Sequence, residues 1–226
     1  MKSLLLTAVV IGAVLLTVMF VPSLIFYYNT TPYAKSLQTY GPDMMPYNNG
    51  GMMAYYGQTI SLQSAMVEAT ANPPSYVTLI PSNDSAIINS SSVHITVYAM
   101  MGSMAINVTG NSLPSYSGGD VFVIYGLINP TLIFDSGAQS VKLIITLVNL
   151  DNDMYHNFVI TSIPPPYQYI IYGMMEPSAD YLPPTQGGSA YTYTYSIQLH
   201  GPAQLWYICT YPGHAEDGMY GELIVK

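Results

Sequence analysis

The stretch LWYICTYPGHAEDGMYGELIVK (residues 205–226) reads as two short strands joined by a loop. Its first strand, expected over Ala203–Cys209, is aromatic and β-branched, and a second follows over Gly221–Val225. The loop between them carries a thiol, an imidazole and a thioether at intervals of five: Cys209, His214 and Met219. Soft sulfur donors and an imidazole suit copper, which must be held in two oxidation states. They do not suit magnesium or calcium, which prefer oxygen.

Cys209 is the only cysteine in 226 residues, so it has no internal disulfide partner and its thiol is available for something else. A trigonal set of two histidines and one cysteine, with a weak axial methionine, is the blue-copper arrangement. Here it needs one more imidazole from elsewhere in the chain. His156, in DMYHNF (153–158), follows the most apolar strand candidate, Val141–Asn149, where a rigid sheet can fix it. His200, in a turn before the Cys209 strand, is the fallback, and His94, inside a strand, reads as structural.

Working outward, the pattern is strand and turn. Val93–Met101, Met104–Val108, Val121–Tyr125, Thr131–Phe134 and Phe158–Ile163 are short apolar runs separated by Gly, Ser, Asn and Pro. Tyr191–Leu199 alternates at every position, with Tyr and aliphatic residues on one face and Thr, Ser and Gln on the other. Many short strands between turns predict an all-β fold, a two-sheet sandwich or barrel. Gln58–Thr70 has near-helical apolar spacing and is expected to form a short helix, stopped by Asn72-Pro73-Pro74. Residues 29–56, rich in Tyr, Gly, Pro, Asn and Met without period, read as a flexible linker.

Residues 1–28 read as an uncleaved membrane anchor in preference to the alternative, a cleaved secretory signal, whose apolar region is usually shorter. From Leu4 to Phe26 no residue is charged. That matches the ~20 residues a bilayer-crossing helix needs, and Phe26, Tyr27 and Tyr28 fit an interfacial belt. Lys2 on the short side places the remainder outside the cytoplasm. The expected layout is therefore anchor 1–28, linker 29–56 and a copper domain over 57–226.

Charge is scarce: four basic residues against twelve carboxylates, net −8. No basic stripe exists to neutralise phosphates, which excludes nucleic acid as a partner. A chain so poor in carboxylates loses little when they are protonated, which suits acidic surroundings.

The run 205–226 resembles the C-terminus of the rusticyanin and sulfocyanin group of cupredoxins. The likeness extends back through Asn129-Pro-Thr-Leu-Ile and Ser92-Val-His-Ile-Thr-Val to cover roughly 57–226. It implies a Greek-key β-sandwich, one type 1 copper ion on His156, Cys209, His214 and Met219, and one-electron transfer in an acid-adapted respiratory chain. The implied partners are redox proteins, a cytochrome or a terminal oxidase complex. In cupredoxins the Asn after the first histidine braces the cysteine loop; here that is Asn157. Rusticyanin has Ser there and is soluble, so Asn157 and the apolar N-terminus make sulfocyanin the nearer relative.

Tyr155, Phe158, Tyr207 and Tyr220 are expected to keep water from the metal, and the edge of His214 to meet solvent within a rim of Tyr211, Pro212 and Ala215. Asp151, Asp153, Glu216 and Asp217 read as loop polarity. The alternative function is a copper delivery or storage protein. Copper enzymes with a second metal centre need more imidazoles than four histidines supply.

Overall fold

A computed structural model of the chain describes residues 58–167 and 181–226, and there the alternating segments form two six-stranded sheets. In chain order the elements are β1 (Thr59–Ser61), α1 (Leu62–Glu68), β2 (Val77–Ile80), a 3-10 turn (Pro81–Asn83), β3 (Ser85–Ile88), β4 (Ser92–Met101), α2 (Gly102–Thr109), β5 (Asp120–Ile124), β6 (Leu127–Ile128), β7 (Thr131–Phe134), β8 (Ser140–Asn149), β9 (Val159–Thr161), β10 (Ser189–His200), β11 (Ala203–Ile208) and β12 (Tyr220–Val225). The first sheet runs β1-β10-β8-β4-β5-β6 and the second β2-β3-β7-β12-β11-β9. Three pairings, β4/β8, β3/β7 and β7/β12, are parallel. The class is all-β, as expected.

The main core lies between the sheets, where Ile95, Val97 and Phe122 of the first meet Leu132, Phe134, Leu223 and Val225 of the second. A smaller apolar layer covers the outer face of the first sheet: Ala65 and Ala69 at α1 and Ala105 of α2 pack with Met100, Val121, Val123 and Val148. The double cover explains why β8 alternates at its start yet buries every residue from Leu147 to Asn149.

Two local expectations need correction. Met104–Val108, expected as a strand, lies in α2. Met101, Met104, Ala105 and Val108 repeat at helical spacing, and Gly110 ends the helix at φ 72° with its N–H on the Ile106 carbonyl. The helix expected over Gln58–Thr70 starts only at Leu62, where Ser61 accepts a bond from the Ser64 N–H. Thr59–Ser61 instead pair with Ser189–Tyr191. Strands β2, β3 and β6, at most four residues each, had gone unread.

The anchor (1–28) and linker (29–56) lie outside the described residues; among those described, no helix is long and apolar enough to cross a membrane. What positions the site is one register. β9 pairs with β11 so that Val159 faces Ile208. Two further steps along the same antiparallel run set Asn157 beside Thr210, and β12 returns the chain from the loop 209–219.

Candidate metal centre

His156 sits in the loop after β8, held there by backbone bonds in both directions with Leu182 (3.1 and 2.8 Å). Cys209 follows the end of β11, and two backbone bonds close its loop. The Cys209 N–H donates to the Met219 carbonyl (3.2 Å), and the Met219 N–H donates to the His214 carbonyl (2.8 Å). Cys209, His156 and Met219 are fully buried and His214 is 6% exposed.

Three donor atoms converge. Cys209 Sγ lies 3.8 Å from His156 Nδ1 and 3.6 Å from His214 Nδ1, and the two Nδ1 atoms are 3.2 Å apart. The centre of a triangle with those sides (their product over four times its area) lies about 2.1 Å from each corner, inside the ~2.0–2.3 Å that imidazole and thiolate donors keep from zinc, a first-row ion of copper's size. One soft first-row metal fits, and the donor chemistry selects copper. His200 is exposed at the end of β10, outside this cluster, and His94 bonds Thr146 (2.8 Å) on the surface.

Asn157 bonds twice to the residue that follows Cys209. Its Oδ1 accepts from the Thr210 N–H and its Nδ2 donates to Thr210 Oγ1, both at 2.8 Å. Tyr181 OH adds a bond to the Thr210 carbonyl (3.0 Å). Beneath the site Phe122, Phe158 and Tyr207 form a buried aromatic trio with centroids 5.0–5.8 Å apart.

Other features had not been read from sequence. Asn149 donates to the Met154, Leu182 and Pro183 carbonyls and accepts from the Asp151 N–H (2.9–3.1 Å), which shapes the His156 loop. Asn129 joins the β5–β6 hairpin to the ligand loop: its Oδ1 accepts from the Phe122 N–H and its Nδ2 donates to the Gly218 carbonyl. Asp151 is not mere loop polarity. It is wholly buried and 3.3 Å from His156 Nε2. Asp120 Oδ2, at the start of β5, lies 3.6 Å from His214 Nε2. The only sequence cue to the two asparagines was their position at strand ends, next to turns.

Burial opposes charge on His156, but Asp151 and Cys209 hold its pKa up to about 9. Burial and then the His156 charge push His214 down to about 4. Burial would raise Asp151, yet hydrogen bonds from His156 and Asp153 hold it well below the usual carboxylate range. Burial lifts Asp120 to about 6. The metal-free pocket thus keeps a proton on His156, which binding at Nδ1 must displace.

Two expectations about solvent fail. The His214 edge is covered: its Nε2 is buried, and Ala215 is 1% exposed. Tyr155, expected to shield the metal, is 41% exposed and stacks on Tyr211 (6.4 Å), which in turn packs on the His214 ring (4.7 Å). The aromatic rim caps the imidazole instead of framing it.

No family model matches the chain. Rusticyanin of Acidithiobacillus ferridurans is 30% identical over 148 residues, 64% of this chain and 69% of that protein. The chain belongs to the rusticyanin family of blue copper proteins. Rusticyanin of Acidithiobacillus ferrooxidans is 29% identical over the same length. Among solved structures, the 1.27 Å rusticyanin from Thiobacillus ferrooxidans superposes with TM-score 0.54 at 20% identity, covering 75% of this chain and 96% of that one. A rusticyanin variant solved at 1.5 Å gives TM-score 0.54 at 21% identity, over 75% and 97%. At such identity the structures speak for the shared fold. The family is one of electron-transfer copper proteins, not enzymes.

Proposed function

We propose that the chain is a one-electron carrier whose single copper ion is held by His156, Cys209, His214 and Met219. The convergence of three donor atoms from two loops within 3.2–3.8 Å carries this reading. Bound there, copper would supply the Cu(I)/Cu(II) couple. The protein's part is to hold its donors still and dry. Cys209 presents the thiolate, His156 and His214 present Nδ1, and Met219 is the remaining soft donor in the loop. Asn157 fixes the cysteine loop, Asn149 the histidine loop, and the trio beneath excludes water. A pre-set donor geometry keeps rearrangement small when the charge changes, as fast electron transfer requires.

Delivery of copper to another protein needs donors that a partner can reach. Here all four are buried, which favours retention over hand-over. The cellular setting extends the proposal. Residues 1–28 anchor the chain, with the copper domain on the extracytoplasmic side of the cell membrane. Asn157 and the apolar N-terminus support a kinship with sulfocyanin within the group. The low charge suits an acidophile's respiratory chain, with a cytochrome or a terminal oxidase complex as partner, docked mainly by apolar contact around Tyr155 and Tyr211.

The test is the absorption spectrum of the copper-loaded protein through a reductive titration. Wild type should be intensely blue and bleach reversibly with one electron per copper, whereas Cys209→Ala should bind without that colour. A blue Cys209→Ala protein would place the metal elsewhere. Membrane fractionation of chains with and without residues 1–28 tests the anchor; equal partitioning would refute it.

A further inference from the structure

Each imidazole at the centre turns Nδ1 toward the shared point and Nε2 away from it, and each Nε2 looks at a carboxylate. For His156 the partner is Asp151, at 3.3 Å. For His214 it is Asp120, at 3.6 Å, just beyond a formed hydrogen bond. His214 is 6% exposed, and its Nε2 is a buried nitrogen with no hydrogen-bond partner among the described residues. A metal on Nδ1 fixes the proton on Nε2, so this nitrogen becomes an obligatory donor in a place closed to water. A buried donor left without an acceptor is costly, about 1–3 kcal/mol. The carboxylate oxygen within half an ångström of bonding distance is the natural acceptor.

We infer that Asp120 is a positioning residue for His214, and that Asp120 and Asp151 together clamp the distal nitrogens of both histidines. The inference rests on the copper reading above. The two carboxylates lie at one end of the first sheet, Asp120 opening β5 and Asp151 following β8, on either side of the end of β4. The clamp ties both imidazoles to the same end of three adjacent strands, β8, β4 and β5. It also shows why His214 is covered. Its distal nitrogen is turned inward to an acid, with Tyr211 closing over the ring. Negative charge on this side favours the more highly charged Cu(II) state.

The test uses the copper-loaded full chain with three substitutions, Asp120→Ala, Asp120→Asn and Asp217→Asn. The last removes an exposed carboxylate from the ligand loop as a charge control. Removing the acceptor with Asp120→Ala should lower copper affinity roughly ten- to a hundredfold, measured by chelator competition, and alter the nitrogen couplings in the paramagnetic resonance spectrum. Asp120→Asn keeps an acceptor oxygen, so those couplings and the affinity should stay near wild type. Its lost charge should raise the midpoint potential at pH 7, each tenfold shift in the redox equilibrium being ~59 mV. Asp217→Asn should move neither affinity nor couplings.

A blue wild type whose Asp120→Ala variant keeps wild-type affinity and couplings overturns the clamp and leaves the electron carrier standing. A wild type that is never blue ends both. Should Asp120→Ala fail to fold by circular dichroism, Asp120→Asn decides: an unchanged or lowered potential, or a shift matched by Asp217→Asn, refutes the inference.

Discussion

Replacing Asn157 by Ala strikes the joint between the two metal-binding loops. The side chain is fully buried and makes two bonds of 2.8 Å to Thr210, the residue after Cys209. Thr210 Oγ1 keeps a second partner in Tyr181 OH (3.0 Å), so its loss is only a net hydrogen bond, about 0.5–1.5 kcal/mol. The Thr210 N–H has no such reserve and is stranded in a buried place, at about 1–3 kcal/mol. Together the substitution should cost about 1.5–4.5 kcal/mol, or ~3–18 °C in Tm for a domain of this size. Urea unfolding of the metal-free protein reads the first figure from the midpoint at constant slope. The copper-loaded protein should keep its blue colour but with a broadened or displaced band, because the thiolate is still present and its loop is less constrained. Asn157→Asp, which still accepts from the Thr210 N–H, should fall between the two. A metal-free midpoint equivalent to less than about 0.5 kcal/mol, with an unshifted band, would show that the loops are held by something other than this side chain.

Three further outcomes follow from named contacts. In Gly221→Ala the new Cβ overlaps the hydroxyl of Tyr207, which is fully buried and pinned to the Pro130 carbonyl (2.6 Å). Overpacking of at least ~1–3 kcal/mol is expected by calorimetry, and adding Tyr207→Phe should relieve part of it. Asn149→Leu takes the side-chain partner from the Met154 and Pro183 carbonyls and the Asp151 N–H, while the Leu182 carbonyl keeps the His156 N–H, so a loss of about 2–3 kcal/mol and weaker copper retention are expected; wild-type copper affinity would contradict the role given to Asn149. By contrast, Lys226→Met breaks an exposed pair with Asp135 (2.9 Å; side chains 53% and 44% exposed) and should cost less than ~1 kcal/mol in denaturant unfolding.

The three converging donors were legible in the sequence because coordination chemistry restricts which residue types can serve, and a lone cysteine five residues from a histidine has few other readings. The long strands were legible for a similar reason. Tyr191–Leu199 alternates along its length, and β10 indeed spans Ser189–His200. Elements of two to four residues, such as β6 and β2, exist only because neighbours pair with them, and no local period announces that. α2 was misread because one turn of apolar residues fits either period until its cover by the first sheet is known.

Polar support was the least legible layer, for a physical reason. Asp120 is 94 residues before His214 and Asn129 is 89 before Gly218, so their partners are set by the crossing of sheets, not by spacing along the chain. In a local window each is only a polar residue beside a turn. Burial changes what such a residue means. A carboxylate in solvent is interchangeable with its neighbours, whereas one enclosed beside a ligand's distal nitrogen is either that nitrogen's partner or an uncompensated cost. Asp151 and Asp153 differ by two positions and one is wholly buried while the other is exposed. The fold, by choosing which of them to enclose, decides which carboxylate belongs to the metal site.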